Sequence, residues 1–159
     1  MTDRTLQLLG RLVGTWITEA THPAMPGIVA RGVSIFEWLE GERFVIHRSR
    51  TDHADFPDSI SILGSIETDR VDTTRSGDPA AAPEHKLSMH YFDSRGVFRV
   101  YDADIDEHTW RISRHAPGFS QRFTGTFSSD GATIEGHWQL NQDDVTWNDD
   151  LEITFRRQR

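Results

Sequence analysis

The sequence lacks cysteine, an excess of basic residues and any long apolar run, and each absence excludes a class of protein. With no Cys, the chain has no disulfide framework, no thiolate metal site and no thiol nucleophile. With 17 Lys and Arg against 25 Asp and Glu, the net charge is −8, so a basic surface for a nucleic-acid partner is missing. Because no apolar run is long enough for a secretory signal or a membrane span, we expect a cytoplasmic protein.

The bulky residues that are present indicate a globular interior. Five Trp and nine Phe supply large apolar groups in a chain whose mean hydropathy is low. At 159 residues the chain is long enough to bury a core without covalent staples. We therefore predict one domain that spans 1–159.

One short helix is predicted at the start of the chain. Leu6, Leu9 and Val13 follow helical spacing within 5–13. Gly14 then ends the helix, as a glycine at this position often does.

The remainder of the chain is predicted to be all-β. Short segments rich in β-branched and aromatic residues alternate with turn sequences such as Pro26-Gly27 and Asp130-Gly131. The short connections favour antiparallel pairing of successive strands. About ten strands in one meander form either a closed barrel or a sandwich, and they are expected at 15–21, 27–39, 43–51, 58–67, 85–93, 97–104, 108–114, 118–128, 132–141 and 146–157.

Apolar residues alternate with polar ones along most of these segments, which indicates one buried face per strand. A sandwich would show the same alternation, so the pattern alone does not choose between the two architectures. The apolar columns comprise Phe44/Ile46, Ile60/Ile62/Ile66, Leu87/Met89/Tyr91, Phe119/Phe123/Phe127, Ile134/Trp138/Leu140 and Leu151/Ile153/Phe155.

One segment departs from the pattern of short connections. Residues 68–84 carry few large apolar groups and two prolines. Connections of this length are uncommon in compact domains. The segment is expected to be either a flexible surface loop or a lid over the mouth of the barrel.

The entry Gly14-Thr15-Trp16 behind a short helix resembles that of calycin barrels, which include lipocalins, fatty-acid-binding proteins and nitrobindins. The resemblance implies that the helix caps the closed end and that Trp16 packs over the barrel floor. It also implies a late arginine stacked on the indole, for which Arg156 is the choice and Arg157 the alternative. This entry favours the barrel over the sandwich.

Four further runs resemble a bacterial calycin-like family that is known only as a domain of unknown function. These runs are FEWLEGERFVI, YFDSRGV, APGFSQRFTGTFSSDG and the closing TW…DLEITFRR. The resemblance implies a β-barrel and implies no particular activity.

A ten-stranded barrel is wide enough to leave a ligand cavity, and polar residues in the apolar columns are candidates for its lining. Arg99 and Tyr101 are two apart and share a face, in the manner of the carboxylate-binding pair of fatty-acid-binding proteins. A guanidinium and a phenol suit a carboxylate or a polarised carbonyl. The other predicted ligand contacts are Arg48, Tyr91, Arg114, Gln121 and Trp138, with Glu37 or Asp102 as a partner for the arginines.

The eight histidines prompt metal, haem and acid–base hypotheses. His47 lies opposite the Phe44/Ile46 column and is therefore expected to face solvent. His85 and His90 are five apart and cannot jointly bind an ion from one strand, so no metal site is predicted. No His follows His137, where nitrobindin-like haem binding needs its axial ligand, so no haem and no other cofactor is predicted. His90, with Tyr91 beside it, is the candidate for acid–base catalysis.

Three functions therefore remain open. The first is the binding of a small, mostly apolar and possibly anionic molecule inside the barrel. The second is an isomerase, cyclase or hydrolase in the same cavity, and the third is nitrobindin-like haem binding. An exposed barrel wall with aromatic residues leaves a homodimer open as well.

Overall fold

The computed structural model describes residues 3–65 and 87–159, which form one helix and ten strands. Strand content dominates because β-branched and aromatic residues alternate with polar ones between turn sequences. The elements are α1 (Asp3–Gly10), β1 (Gly14–Thr21), β2 (Ala30–Trp38), β3 (Phe44–Thr51), β4 (Ser59–Ser65), β5 (Leu87–Asp93), β6 (Phe98–Ile105), β7 (Thr109–Arg114), β8 (Ser120–Phe127), β9 (Thr133–Asn141) and β10 (Asn148–Arg157).

The strands form a closed barrel in which each strand pairs antiparallel with the next one in the chain. The barrel closes where β1 pairs with β10, with Trp16 opposite Arg157 and Ala20 opposite Ile153. The predicted meander of ten antiparallel strands is therefore confirmed as a barrel, and the sandwich is excluded. In the described part of the chain, no helix is long and apolar enough to span a membrane.

The helix packs at the end of the barrel where β1 begins and β10 ends. Leu9 and Leu12 are fully buried together with Trp16, whose Nε1 donates a hydrogen bond of 2.8 Å to the Leu12 carbonyl. The helix ends at Gly10, earlier than predicted, and a turn leads from it into β1. The predicted helix thus exists and lies against one end of the barrel, with shorter bounds.

The arginine on the Trp16 indole is Arg157, and the choice of Arg156 is wrong. The Arg157 guanidinium carbon lies 4.1 Å from the centroid of the Trp16 ring. Arg156 is exposed on the other face of β10 and pairs with Glu19 at 3.1 Å. The reason is alternation, since the residue directly opposite Trp16 in the register is Arg157.

Aromatic residues fill the interior next to the helix. Trp110 contacts Phe123 with ring centroids 5.0 Å apart, and Phe36 lies 5.8 Å from Trp110. Phe155 and Ile134 complete this layer and are almost fully buried. The helix end of the barrel is therefore packed solid, and any ligand site lies towards the opposite end.

The predicted loop or lid at 68–84 lies outside the described residues. The strand ends on either side of it, Ser65 and Leu87, are cross-strand partners at the helix end of the barrel. Trp38, whose ring lies near Gly10 of the helix, belongs to the same end.

Candidate functional site

A row of side chains crosses the inner wall of the barrel from β2 to β6. Residues directly opposite each other on neighbouring strands place their side chains on the same face. Phe36, His47, Ser61, Tyr91 and Arg99 are consecutive cross-strand partners. Because Phe36 and Ser61 are buried in the interior, the whole row faces inwards.

Arg99 and Tyr101 converge on one acceptor at the open end of this wall. Arg99 Nη1 donates to Gln121 Oε1 at 2.9 Å, and the Tyr101 hydroxyl donates to the same oxygen at 2.8 Å. Burial raises the pKa of Tyr101, although Arg99 and Arg114 act in the opposite direction. The phenol therefore stays protonated, and the Gln121 amide nitrogen is left as a further donor next to two others.

Arg114 adds a second guanidinium to this cluster. It lies opposite Gln121 in the register, and its Nη1 donates to the Phe119 carbonyl at 2.9 Å. The Arg99 guanidinium lies 4.8 Å from the centroid of the Phe119 ring. Within the described ranges, neither arginine forms an ion pair with a carboxylate, so the cluster carries uncompensated positive charge.

Tyr91 lies beside the cluster but is already engaged. Its hydroxyl donates to Asp93 Oδ2 at 2.9 Å, and Arg95 Nη2 donates to the same oxygen at 2.6 Å. The Arg95 guanidinium holds the pKa of Asp93 well below its usual range, while burial raises the pKa of Tyr91. This arrangement orients the ring, which packs edge-on against Tyr101 at 6.4 Å.

His47 lies on the inner wall and was missed by the sequence analysis, which placed it in solvent. Its ring stacks on Phe36 with centroids 3.9 Å apart, and its Nε2 lies 3.0 Å from Ser34 Oγ. Ser34 Oγ is in turn 3.4 Å from Ser49 Oγ. Burial lowers the pKa of His47 from 6.5 to about 3, so the imidazole is a neutral hydrogen-bonding group.

Trp138 forms the apolar base of the site. Its ring lies 5.9 Å from Tyr101 and 5.1 Å from Phe123, and it is only partly buried. Below it, the buried indole nitrogen of Trp110 has no hydrogen-bond partner among the residues that the structure describes. An apolar surface with a few donors at its edge suits a small organic molecule.

Three of the predicted site residues lie on the outside of the barrel together with Asp102, the alternative partner of the arginines, and their assignment to the cavity is wrong. Arg48 and Glu37 are both exposed and form an ion pair with each other at 2.5 Å. His90 lies on the outer face of β5, with its ring 6.1 Å from Phe98, and cannot reach the interior. Along β3 the inward-facing residues are Val45, His47 and Ser49. The prediction had placed the opposite face, with Phe44, Ile46 and Arg48, inside.

Two clefts open at the rim away from the helix. One of about 310 Å³ lies where β3, β4 and β5 end and is lined by Ser49, Ser59 and Asp93 from the inner wall, among others. The other, of about 270 Å³, lies beside His22, whose Nε2 is 2.7 Å from Asp150 Oδ1. The first cleft is also lined by Arg48, Ile60 and Phe92 from the outer face. Neither cleft is lined by Arg99, Tyr101 or Gln121.

The arrangement of the described histidines and carboxylates bears on the metal and haem hypotheses. No three His, Cys, Asp or Glu side chains in the described ranges lie close enough together to hold a metal ion. Of the histidines in those ranges, His47 alone faces the interior, and its Nε2 is engaged by Ser34 while Phe36 covers one ring face. These contacts do not fit an axial haem ligand.

Comparisons with known proteins identify the fold and no family. No model of a known protein family matches the sequence, and no curated protein matches it significantly. Among solved structures, the crystal structure of Rv2717c from M. tuberculosis is similar, with a TM-score of 0.63 and 14% identity over 100% of both chains. A redesigned β-barrel has a TM-score of 0.40 at 12% identity over 96% of each chain. The chain thus shares the barrel fold of Rv2717c, and the likeness extends to the fold alone.

Proposed function

We propose that the protein binds a small, mostly apolar molecule with a carboxylate or a polarised carbonyl in the open half of the barrel. One observation carries the proposal. Two guanidinium groups, those of Arg99 and Arg114, lie at the inner wall without a carboxylate partner in the described part of the chain. A cation in such a place is costly unless an anion or water accompanies it.

The donors around the arginines have the arrangement that an anionic head group needs. A guanidinium can donate two parallel hydrogen bonds to a carboxylate, and Tyr101 and Gln121 stand next to it. The apolar remainder of the molecule would lie against Trp138 and the aromatic layer below it. His47 and Ser49 on the facing wall provide neutral polar groups for a carbonyl or hydroxyl of the ligand.

A binding role is favoured over an enzymatic one by the state of the candidate acids and bases. His90 and Glu37 lie outside the barrel. Tyr91 and Tyr101 have pKa values raised by burial, and His47 has a pKa of about 3, so none of these three titrates near neutral pH. General acid–base catalysis is most efficient when the pKa lies near the working pH. We also propose that the barrel is calycin-like, on the strength of the Gly14-Thr15-Trp16 entry and the Arg157–Trp16 contact.

The proposal is tested with a matched pair of ligands and a matched pair of arginines. Naphthoate and the neutral naphthalenemethanol are titrated against the protein, and tryptophan fluorescence reports binding. Arg99→Ala should weaken naphthoate binding by about 1.5–3 kcal/mol, the scale of a charged hydrogen bond, and should leave the alcohol nearly unaffected.

Arg48→Ala is the control, because it removes the same guanidinium from the outside of the wall. It should leave both affinities unchanged. Equal affinity of the wild-type protein for acid and alcohol, or equal losses in the two variants, would contradict the proposal. Chemical denaturation of both variants verifies that they are folded.

A further inference from the structure

The outer wall of the barrel carries a contiguous apolar face, which we call the outer patch: Ile60, Ile62, Phe92, Phe98 and Val100. Each of these side chains is between 37% and 55% exposed. Ile60, Phe92 and Phe98 are consecutive cross-strand partners, and the Phe92 and Phe98 rings lie 5.0 Å apart. The patch therefore forms one surface across β4, β5 and β6, with His90 between Ile62 and Val100.

The first half of β4 shows the reverse of the usual polarity. Its inner residues are Ser59 and Ser61, while Ile60 and Ile62 lie on the outer face. A strand that only builds a barrel core would place the apolar column inside. Large exposed apolar surfaces on a folded protein usually mark an interaction site.

Charges of opposite sign frame the outer patch on its two sides. Arg48 and Arg50 are exposed on β3, next to the patch on one side, and Arg48 Nη1 also pairs with Glu37 of the same chain. Asp102 and Asp104 are exposed on β6, on the other side and nearer the helix end, and Asp104 also pairs with Arg111. A surface with an apolar centre, a basic edge and an acidic edge is complementary to itself.

We propose that the outer patch binds a second copy of this chain across a two-fold axis. The axis lies in the plane of contact and runs from Phe44 on β3 to Phe98 on β6. It exchanges the two corners of the patch that lie on either side of this line. It would place Arg48 of one copy opposite Asp102 of the other and Phe98 next to its own counterpart. Two-fold contacts are the commonest in homo-oligomers and require this kind of self-complementarity.

The size of the patch predicts a weak dimer. Four strands at ~4.8 Å spacing and three rows of outward side chains cover roughly 400 Å² on each copy. Stable complexes usually bury about 800 Å² per partner, so this contact falls in the transient class unless the neighbouring turns add to it. We expect a dissociation constant on the order of micromolar rather than nanomolar.

Sedimentation equilibrium over a wide range of protein concentration tests the proposal. The wild-type protein should pass from monomer to dimer as concentration rises. Phe98→Glu should raise the dissociation constant roughly tenfold or more, because it places two carboxylates next to each other across the two-fold axis. Thr124→Glu adds the same charge to the outer face of β8 and should change nothing.

A charge exchange tests the orientation of the two copies. Arg48→Asp and Asp102→Arg should each weaken the dimer, and the double variant should recover much of the loss because the pair is restored with its signs reversed. A protein that stays monomeric up to millimolar concentration, or a dimer unaffected by Phe98→Glu, would overturn the proposal. If the loss of dimerisation free energy in the double variant equals the sum of the two single losses, the two-fold arrangement is wrong.

Discussion

At the scale of single residues, His47 shows how burial sets the chemistry of a side chain. The imidazole stacks on Phe36, and its Nε2 is hydrogen-bonded to Ser34, which is itself fully buried. Protonation would put a charge into this environment, and desolvation therefore lowers the pKa to about 3. His47 thus stays neutral and offers the ligand a hydrogen bond without charge.

This shift in pKa predicts a pH-dependent stability. Between pH 6.5 and about 3 the unfolded chain binds a proton at His47 that the folded chain does not bind. The free energy of unfolding should therefore fall as the pH is lowered through that window, by up to ~1.4 kcal/mol per pH unit, and should gain nothing from His47 above it. Urea titrations of the wild type and of His47→Gln between pH 4.5 and 7 measure the difference.

The His47→Gln variant should show a flatter pH dependence, because it has no group with a depressed pKa at this position. The hydrogen-bonded aspartates, such as Asp93 and Asp106, affect stability only near and below their usual pKa of 3.8. Their titration therefore does not change the free energy of unfolding in the upper part of this pH range. Parallel curves for the two proteins would show that His47 is not desolvated in the folded state.

The sequence predicted part of the candidate site, and the reason lies in the alternation of its strands. In β8 the apolar residues mark the inner face clearly, so Gln121 was placed on it correctly. On β6 the outer face carries Phe98 and Val100, and Arg99 and Tyr101 were placed inside because they resemble the carboxylate-binding pair of fatty-acid-binding proteins. In β3 and β4 both faces carry apolar side chains, and the larger ones, Ile46 and Ile62, lie outside. A rule that places the more apolar face of a strand inside assigns the wrong face to the interior in such strands. For this reason Arg48 was predicted inside and His47 outside.

At the scale of secondary-structure elements, the junction of α1, β1 and β10 depends on Arg157. Its Nη1 donates to the Val13 carbonyl and its Nη2 to the Arg11 carbonyl, both at 2.6 Å. These carbonyls lie in the turn between the helix and β1, where no strand partner donates a hydrogen bond to them. Burial lowers the pKa of the guanidinium, which also stacks on Trp16.

Neighbouring arginines on β10 allow this junction to be tested with a built-in control. Arg157→Ala should reduce the free energy of unfolding by about 2–4 kcal/mol, since two charged hydrogen bonds and a stacking contact are lost. Arg156→Ala removes an exposed ion pair with Glu19 and should cost less than about 1 kcal/mol. Chemical denaturation measures both, and equal losses would contradict the role given to Arg157.

The strands were predictable because turn-forming residues mark their boundaries in the sequence. Gly27 and Gly131 adopt positive φ, and they belong to the predicted turn sequences Pro26-Gly27 and Asp130-Gly131. The end of the helix was less predictable. Leu12 and Val13 continue an apolar pattern beyond Gly10, and they do so because the turn that contains Leu12 is buried beneath Trp16.

At the scale of the whole molecule, the barrel has two unlike halves. The inner faces of β7 to β10 contribute large side chains, such as Trp110, Phe123 and Phe155, which are at most 3% exposed. The inner faces of β3 and β4 contribute Ser49, Ser59 and Ser61 towards the open end. One half therefore supplies most of the apolar core, and the other supplies a polar wall for the proposed ligand.

This asymmetry predicts uneven local stability. Amide hydrogens exchange through local opening, which costs less where few apolar contacts are broken. Amides in β3 and β4 towards the open rim should therefore exchange about tenfold faster or more than those in β8 and β9, a difference of ~1.4 kcal/mol in opening free energy. Hydrogen exchange followed by mass spectrometry, at protein concentrations well below the expected dimer range, resolves these strands.

A ligand in the open half should change this pattern in a specific way. Naphthoate bound at Arg99 would add apolar contacts to the wall formed by Ser61 and Tyr91, and should slow exchange in β3 to β5 more than in β8 and β9. Arg99→Ala should abolish this effect, whereas Arg48→Ala should retain it. Uniform exchange along all ten strands would mean that the aromatic layer and the polar wall open together, and the barrel would then be one cooperative unit in which the polar wall costs no stability.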